Sequence, residues 1–158
     1  MCCINQLLDL CISKNIKISV AESCTSGLIA SILSSKSGSS SYFNGGIIAY
    51  NNDIKINLLN IEKELINNKT EVSEEVVAEM AKSVCSIFKS DYSIATSGYA
   101  GPTGGDINNP VGTVFIGIAN KQKASVKKFI FEGSRKEIVH QAANKSIELF
   151  YNKIKKHI

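Results

Sequence analysis

The stretch GSSSYFNGGIIAYNNDIK, residues 38–55, brings three serine hydroxyls, a tyrosine and a lysine into one short span. Covalent hydrolysis of an amide draws on such groups. A hydroxyl attacks the carbonyl carbon, and an amine or phenol takes the proton and returns it to the departing nitrogen. A lysine serves as that base only when neutral, which requires burial or a neighbouring positive charge. Each residue also has an ordinary reading: serines in a Gly/Ser turn bond water, a tyrosine at a strand end packs, and a lysine opening a helix stays exposed. Local chemistry does not choose among Ser39, Ser40 and Ser41. A Ser, Tyr and Lys set also occurs in short-chain dehydrogenases, where Tyr and Lys sit one helical turn apart. Here they are five residues apart, and no glycine fingerprint follows the first strand.

Two further segments carry residues suited to a ligand. In AESCTSG, residues 21–27, Ser23, Thr25 and Ser26 lie at a helix entry, where free amides and the helix dipole hold a phosphate or a developing oxyanion. Plain capping explains the same residues equally well. In SGYAGPTGGD, Gly98, Gly101, Gly104 and Gly105 surround Pro102 and Thr103, which allows backbone amides to approach a ligand closely. That loop joins two strands, whereas P-loops and dinucleotide fingerprints run from strand to helix. Arg135, the chain's one arginine, offers a planar fork for phosphate or, as a surface residue, a salt bridge. Glu22, at a strand end, either orients a neighbour or accepts a local hydrogen bond.

The elements that must position these residues alternate. Apolar spacing predicts a helix over about residues 3–14, a strand in IKISVAES, a helix in LIASILSSK and a strand in GGIIAY. A helical or turn-rich connection starts at DIKINLLNI, and Ser73 with Glu74 and Glu75 opens a helix running to about Lys89. YSIATSG and VGTVFIGIAN read as core strands, SVKKFIFE as a more exposed one, and SRKEIVHQAANKSIELFYNKI as a long closing helix. Strands separated by helices, with adjacent strands late in the chain, predict a three-layer α/β/α sandwich on a mixed, mostly parallel sheet, one domain over residues 1–158. In such sheets ligands gather at the carboxyl ends of strands. The loops at 22–27, 38–41 and 97–105 are therefore expected to share one pocket.

Composition narrows the function classes. A net charge of +4 comes from scattered lysines, so no nucleic-acid surface is expected. Cys2, Cys3, Cys11, Cys24 and Cys85 are odd in number and form no C-x-x-C pair, which points to buried thiols in a reducing cytoplasm. No metal site is expected, because His140 and His157 lie far apart and away from cysteines or acids at ligand spacing. The first fifteen residues lack a basic leader and read as an amphipathic helix, and no apolar run reaches membrane-spanning length.

AESCTSG, GSSSYFNGGIIAYNNDIK, VSEEVVAEMA, SGYAGPTGG, PVGTVFIGIA and FEGSRKEI occur in an order and spacing that resembles the CinA C-terminal domain family, the nicotinamide mononucleotide (NMN) amidohydrolases. The resemblance runs from about residue 5 to about residue 152. It implies a stand-alone deamidase, without the molybdopterin-binding-like domain of some relatives, that converts NMN to nicotinate mononucleotide and ammonia. It implies no cofactor, and a homodimer. By match to the family pattern, Ser40 is the expected nucleophile, Lys55 the base, and Tyr50 a proton relay or a support for the lysine. Ser23, Thr25, Ser26, Gly101, Thr103, Gly104 and Arg135 are the expected substrate contacts. Three positions depart from the family's usual pattern: Ser26 and Tyr99 stand where CTGG and GIAGP have Gly and Ile, and Ser134 replaces the acid of GDR. A non-glycine at 26 matters if the backbone there needs positive φ, and Tyr99 can narrow a pocket or stack on a ring. The competing reading is a catalytically weak or inactive interaction module linked to competence or DNA damage.

Overall fold

β1 (Ile18–Glu22) is buried at all five positions, as a strand covered by helices on both faces must be. The computed structural model describes residues 2–156; His157, weighed above as a ligand, lies outside them, as do the side chains of Cys2 and Cys3. Around β1 the chain lays down α1 (Cys2–Ser13), α2 (Leu28–Ser34), a 3-10 turn (Ser39–Ser41), β2 (Phe43–Ile48), α3 (Asn52–Asn57) and α4 (Lys63–Lys69). α5 (Glu74–Ile87), β3 (Tyr92–Gly98), β4 (Thr113–Asn120), β5 (Ala124–Ile130) and α6 (Arg135–Lys155) complete it. The strand order is β2-β1-β3-β4-β5.

The sheet is mixed, as expected, and four of its five strands run in one direction. Its pairings nonetheless divide evenly, with β2-β1 and β1-β3 parallel and β3-β4 and β4-β5 antiparallel. The connections explain the division. Parallel neighbours need a crossover, supplied by α2 and by α3 to α5, whereas β4 and β5 are joined by a tight turn in which the Asn120 side chain accepts from the amides of Gln122 and Lys123.

Three layers result. α1, α2 and α6 cover one face through Leu7, Leu8, Ile29, Leu33, Phe150 and Ile154, packed on Ile18, Val20, Ile94 and Ile118. Val76, Val77, Met80, Ala81 and Val84 of α5 cover the other, against Ala21, Ala95, Phe115 and Ala119. Apart from Phe115, the α5 face of the sheet is made of small residues, Ser19, Ala21, Ser93, Ala95, Gly117 and Ala119, over which the helix lies close. The buried Ser19 and Ser93 hydroxyls donate to the carbonyls of Val84 and Ala81, which satisfies groups that would otherwise be stranded. α5 starts at Ser73, whose side chain accepts from Val76 N–H, with Glu74 and Glu75 in the first turn. α6 starts at a capping box in which Ser134 and Glu137 bond each other's backbone amides. No helix among the described residues is long and apolar enough to cross a membrane, and Cys11, Cys24 and Cys85 are buried free thiols.

The closeness of α5 is testable at Gly117. A Cβ there would stand 2.9 Å from Val77 Cγ1 and 3.2 Å from the Val77 carbonyl oxygen. Gly117→Val is expected to lower the unfolding free energy by about 1–3 kcal/mol, read from urea denaturation, because the helix must lift off the sheet.

Candidate functional site

The turn after β1 is organised by a buried carboxylate. Glu22 is fully buried, and its Oε2 accepts from Thr25 Oγ1 (2.5 Å), Gly27 N (3.0 Å) and Ile29 N (3.1 Å), while Oε1 accepts from Ala30 N (2.7 Å). These amides are the free donors at the start of α2, so Glu22 caps that helix from inside the protein. Thr25 lies within hydrogen-bond distance of Thr96 Oγ1 as well, at 2.8 Å, and is itself buried. Two expectations are corrected here. The α2 amides are occupied by a carboxylate whose charge repels a phosphate, and Thr25 is an internal strut with no face on the cleft. Ser26 is exposed and outside the cleft. Its φ of 52° is the left-handed conformation for which the family pattern keeps a glycine.

Beyond that frame opens a cleft of about 200 Å³ at the carboxyl ends of β1, β2 and β3. Ser23 lines it, its amide donating to Thr96 O. Across from it stands Lys55 on α3, a short helix capped by Asn51. The Lys55 side chain is completely buried; Nζ lies 3.4 Å from Ser23 Oγ and 3.4 Å from Asn52 Oδ1. At that distance an ammonium donates to the serine and a neutral amine accepts from it. Burial pushes the Lys55 pKa below the ordinary lysine value, and the weaker pull of Glu71 and Cys24 in the other direction does not cancel it. Two other cleft side chains, Cys24 and Ser97, are poorer nucleophiles. Burial raises the Cys24 thiol to about 12, so it stays protonated, and the Ser97 hydroxyl is spent on the Glu71 carbonyl.

The rim is built by Arg135 and Tyr50. Arg135 Nη1 donates to Gly101 O at 2.7 Å and Nη2 to Tyr50 Oη at 2.6 Å, tying α6 to the glycine loop and to the end of β2. The capping box beside it holds the first turn of α6 in place. Thr103 lines the cleft, as do Gly101, Tyr50, Lys55 and Arg135. Gly104 does not; its Cα packs on the Tyr99 ring, where a Cβ would stand 3.2 Å from Cδ1. Tyr99 itself lines the cleft.

Ser40 is the principal correction. It lies exposed in the 3-10 turn that precedes β2, whereas Tyr50 follows that strand. Six extended residues separate the two ends by roughly 20 Å, and Ser40 is not among the cleft residues. Tyr50 and Lys55 are brought together; Ser40 is left at the opposite end of the sheet. Ser23 takes the position beside the amine, and Glu71, Cys24, Ser97 and Tyr99 join the cleft without having been read as site residues. The signal for Ser23 was available, since it directly follows a parallel strand while Ser40 directly precedes one.

The model of the CinA C-terminal domain matches residues 3–154. The chain belongs to that family. Among CinA-like relatives, a CinA-like protein of Flavobacterium psychrophilum is 45% identical over 144 residues, 91% of this chain and 34% of its own length. A putative competence-damage inducible protein of Clostridium botulinum is 39% identical over 140 residues, 89% of this chain and 34% of its own. The chain thus spans about a third of the length of these curated relatives. Among solved structures, the competence damage-inducible protein A of Klebsiella pneumoniae superposes with a TM-score of 0.93 at 27% identity, covering 97% of this chain and 95% of its own. The competence/damage inducible protein CihA of Agrobacterium tumefaciens gives 0.90 at 27%, with 94% and 91% covered.

The Glu22 cap carries the turn on which Ser23 sits in this CinA domain. Glu22→Ala leaves three amides and the Thr25 hydroxyl without their acceptor, and is expected to cost about 2–3 kcal/mol in chemical denaturation. Ser26→Gly, relieving a left-handed residue next door, is expected to leave stability unchanged or raise it by a few tenths of a kcal/mol.

Proposed function

We propose that the cleft hydrolyses the carboxamide of NMN, with Ser23 as nucleophile and Lys55 as general base. The observation that carries this reading is the 3.4 Å approach of Ser23 Oγ to a fully buried amine whose pKa is depressed. The family resemblance supplies the substrate. Ser23 Oγ bonds to the carboxamide carbon as its proton passes to Lys55 Nζ. The tetrahedral adduct collapses, its C–N bond breaks, and Lys55 returns the proton to the leaving nitrogen, releasing ammonia. Water then attacks the Ser23 ester, again giving its proton to Lys55. The C–O bond to Ser23 breaks, nicotinate mononucleotide leaves, and the proton returns to the serine.

The remaining groups bind and orient. Arg135, held between Tyr50 and Gly101 at the rim, offers its guanidinium to the phosphate. Tyr50 supports that arginine, in place of the expected role as a proton relay or a support for the lysine. The rival reading, an interaction module linked to competence or DNA damage, shares the relatives' names. It leaves unexplained why a lysine is kept buried with no carboxylate paired to it among the described residues.

Three variants separate the roles in an assay of ammonia release from NMN. Ser23→Ala should lose about 10³-fold or more in kcat, and Lys55→Arg about 10²–10⁴-fold, since a guanidinium cannot act as a base. Ser40→Ala should stay within about threefold of the parent, as expected for an exposed turn residue. Full activity in Ser23→Ala, or its loss in Ser40→Ala, would return the nucleophile to the other end of the sheet.

The pH profile follows from Lys55. A base must be deprotonated, so kcat/KM rises with pH through the free-enzyme pKa of Lys55. Because burial lowers that value, the midpoint should fall below 10.5, the ordinary lysine value. A limb centred at or above that value would show that the amine acts only as a charge.

A further inference from the structure

Glu71 has no part in the amide chemistry above, yet it lines the same cleft. It lies in the connection between α4 and α5, two residues before the α5 cap, and its backbone is pinned by Ser97 Oγ, which donates to its carbonyl at 2.7 Å. Its carboxylate forms no ion pair and no side-chain hydrogen bond among the described residues, although Lys55 shares the cleft. A half-buried anion without a partner is a cost to the free protein. It also works against the base, because its charge favours protonated Lys55. Tyr99 shares this wall of the cleft, and burial keeps its phenol neutral, the Glu71 charge adding to the effect. Arg135 stands at the rim with the opposite sign. Apart from the Lys55 amine, the cleft thus carries one anion on its wall and one cation at its rim, the pattern that fits a ligand with a positive ring and a negative tail.

We propose, resting on the amidohydrolase reading, that Glu71 and the Tyr99 ring form a wall that selects substrates whose carboxamide ring is cationic. A pyridinium brought against Glu71 supplies the missing counter-charge and meets an aromatic face. A neutral ring of the same shape gains neither and leaves the carboxylate unpaired.

The test compares NMN with its 1,4-dihydro form, which keeps the carboxamide, ribose and phosphate but carries an uncharged ring. Calorimetric titration of the Ser23→Ala protein at pH 8 is expected to show NMN binding about tenfold or more tighter than the dihydro form. In Ser23→Ala with Glu71→Gln, an isosteric change, the preference should fall to about threefold or less, through weaker NMN binding alone. Circular dichroism and thermal melting confirm that both proteins are folded. A preference that survives Glu71→Gln, or an equal loss for both ligands, would overturn the proposal. Failure of NMN to bind would overturn it together with the nucleotide reading. A Glu71-dependent preference in a protein whose parent releases no ammonia would uphold the cation wall and overturn the hydrolase.

Discussion

Four hydrogen bonds converge on the buried Glu22 carboxylate, from one hydroxyl and three α2 amides. A carboxylate is stable away from water only when its lone pairs are taken, and a helix start is one of the few places that offers several donors at once. The turn that carries Ser23 is therefore not free to relax. Glu22 fixes where α2 begins, Thr25 ties the turn across to Thr96 on β3, and the Ser23 amide bonds Thr96 O. A turn capped from within and tied twice to β3 holds the Ser23 backbone in place, which a reactive side chain requires and a loose surface turn does not provide.

Lys55 is the second constraint, and the first makes it useful. Its burial is enforced by the chain around it: Ile61 N–H donates to the Lys55 carbonyl at 3.1 Å, and Leu59 and Ile61 are sunk in the α5 core. The protein thus offsets the desolvation of Lys55 with apolar packing elsewhere, and the depressed proton affinity is the consequence.

Much of the fold was legible because local and global signals agreed. VGTVFIGIAN reads as the core strand β4, and Ser73 and Ser134 announce their helices through hydroxyls and nearby acids. The site was legible in its members more than in its geometry. Lys55, Tyr50, Gly101, Thr103 and Arg135 do meet. Ser40 was drawn in by its closeness along the chain to Tyr50, a closeness that an intervening extended strand converts into distance. Thr25 and Ser26 were drawn in by a helix start that looked open, since nothing in AESCTSG reveals that Glu22 folds back onto the amides. Glu71 was invisible for a third reason. It lies in the connection between α4 and α5 and is held at the cleft by Ser97 of β3, 26 residues on, a tertiary contact with no local signature.

The three departures from the family pattern now separate by what each side chain faces. Ser26 keeps a glycine's backbone conformation on the outside of the turn, so its effect is on strain. Ser134 faces the first turn of α6 and completes a capping box, so the acid it replaces is compensated by Glu137. Tyr99 alone of the three lines the cleft, as Glu71 and Ser23 do. A change that alters strain or a helix cap shifts stability, whereas a change on the cleft wall shifts which ligand is held. Of the three departures, Tyr99 is therefore the one placed, with Glu71, where a side chain bears on which ligand the cleft holds.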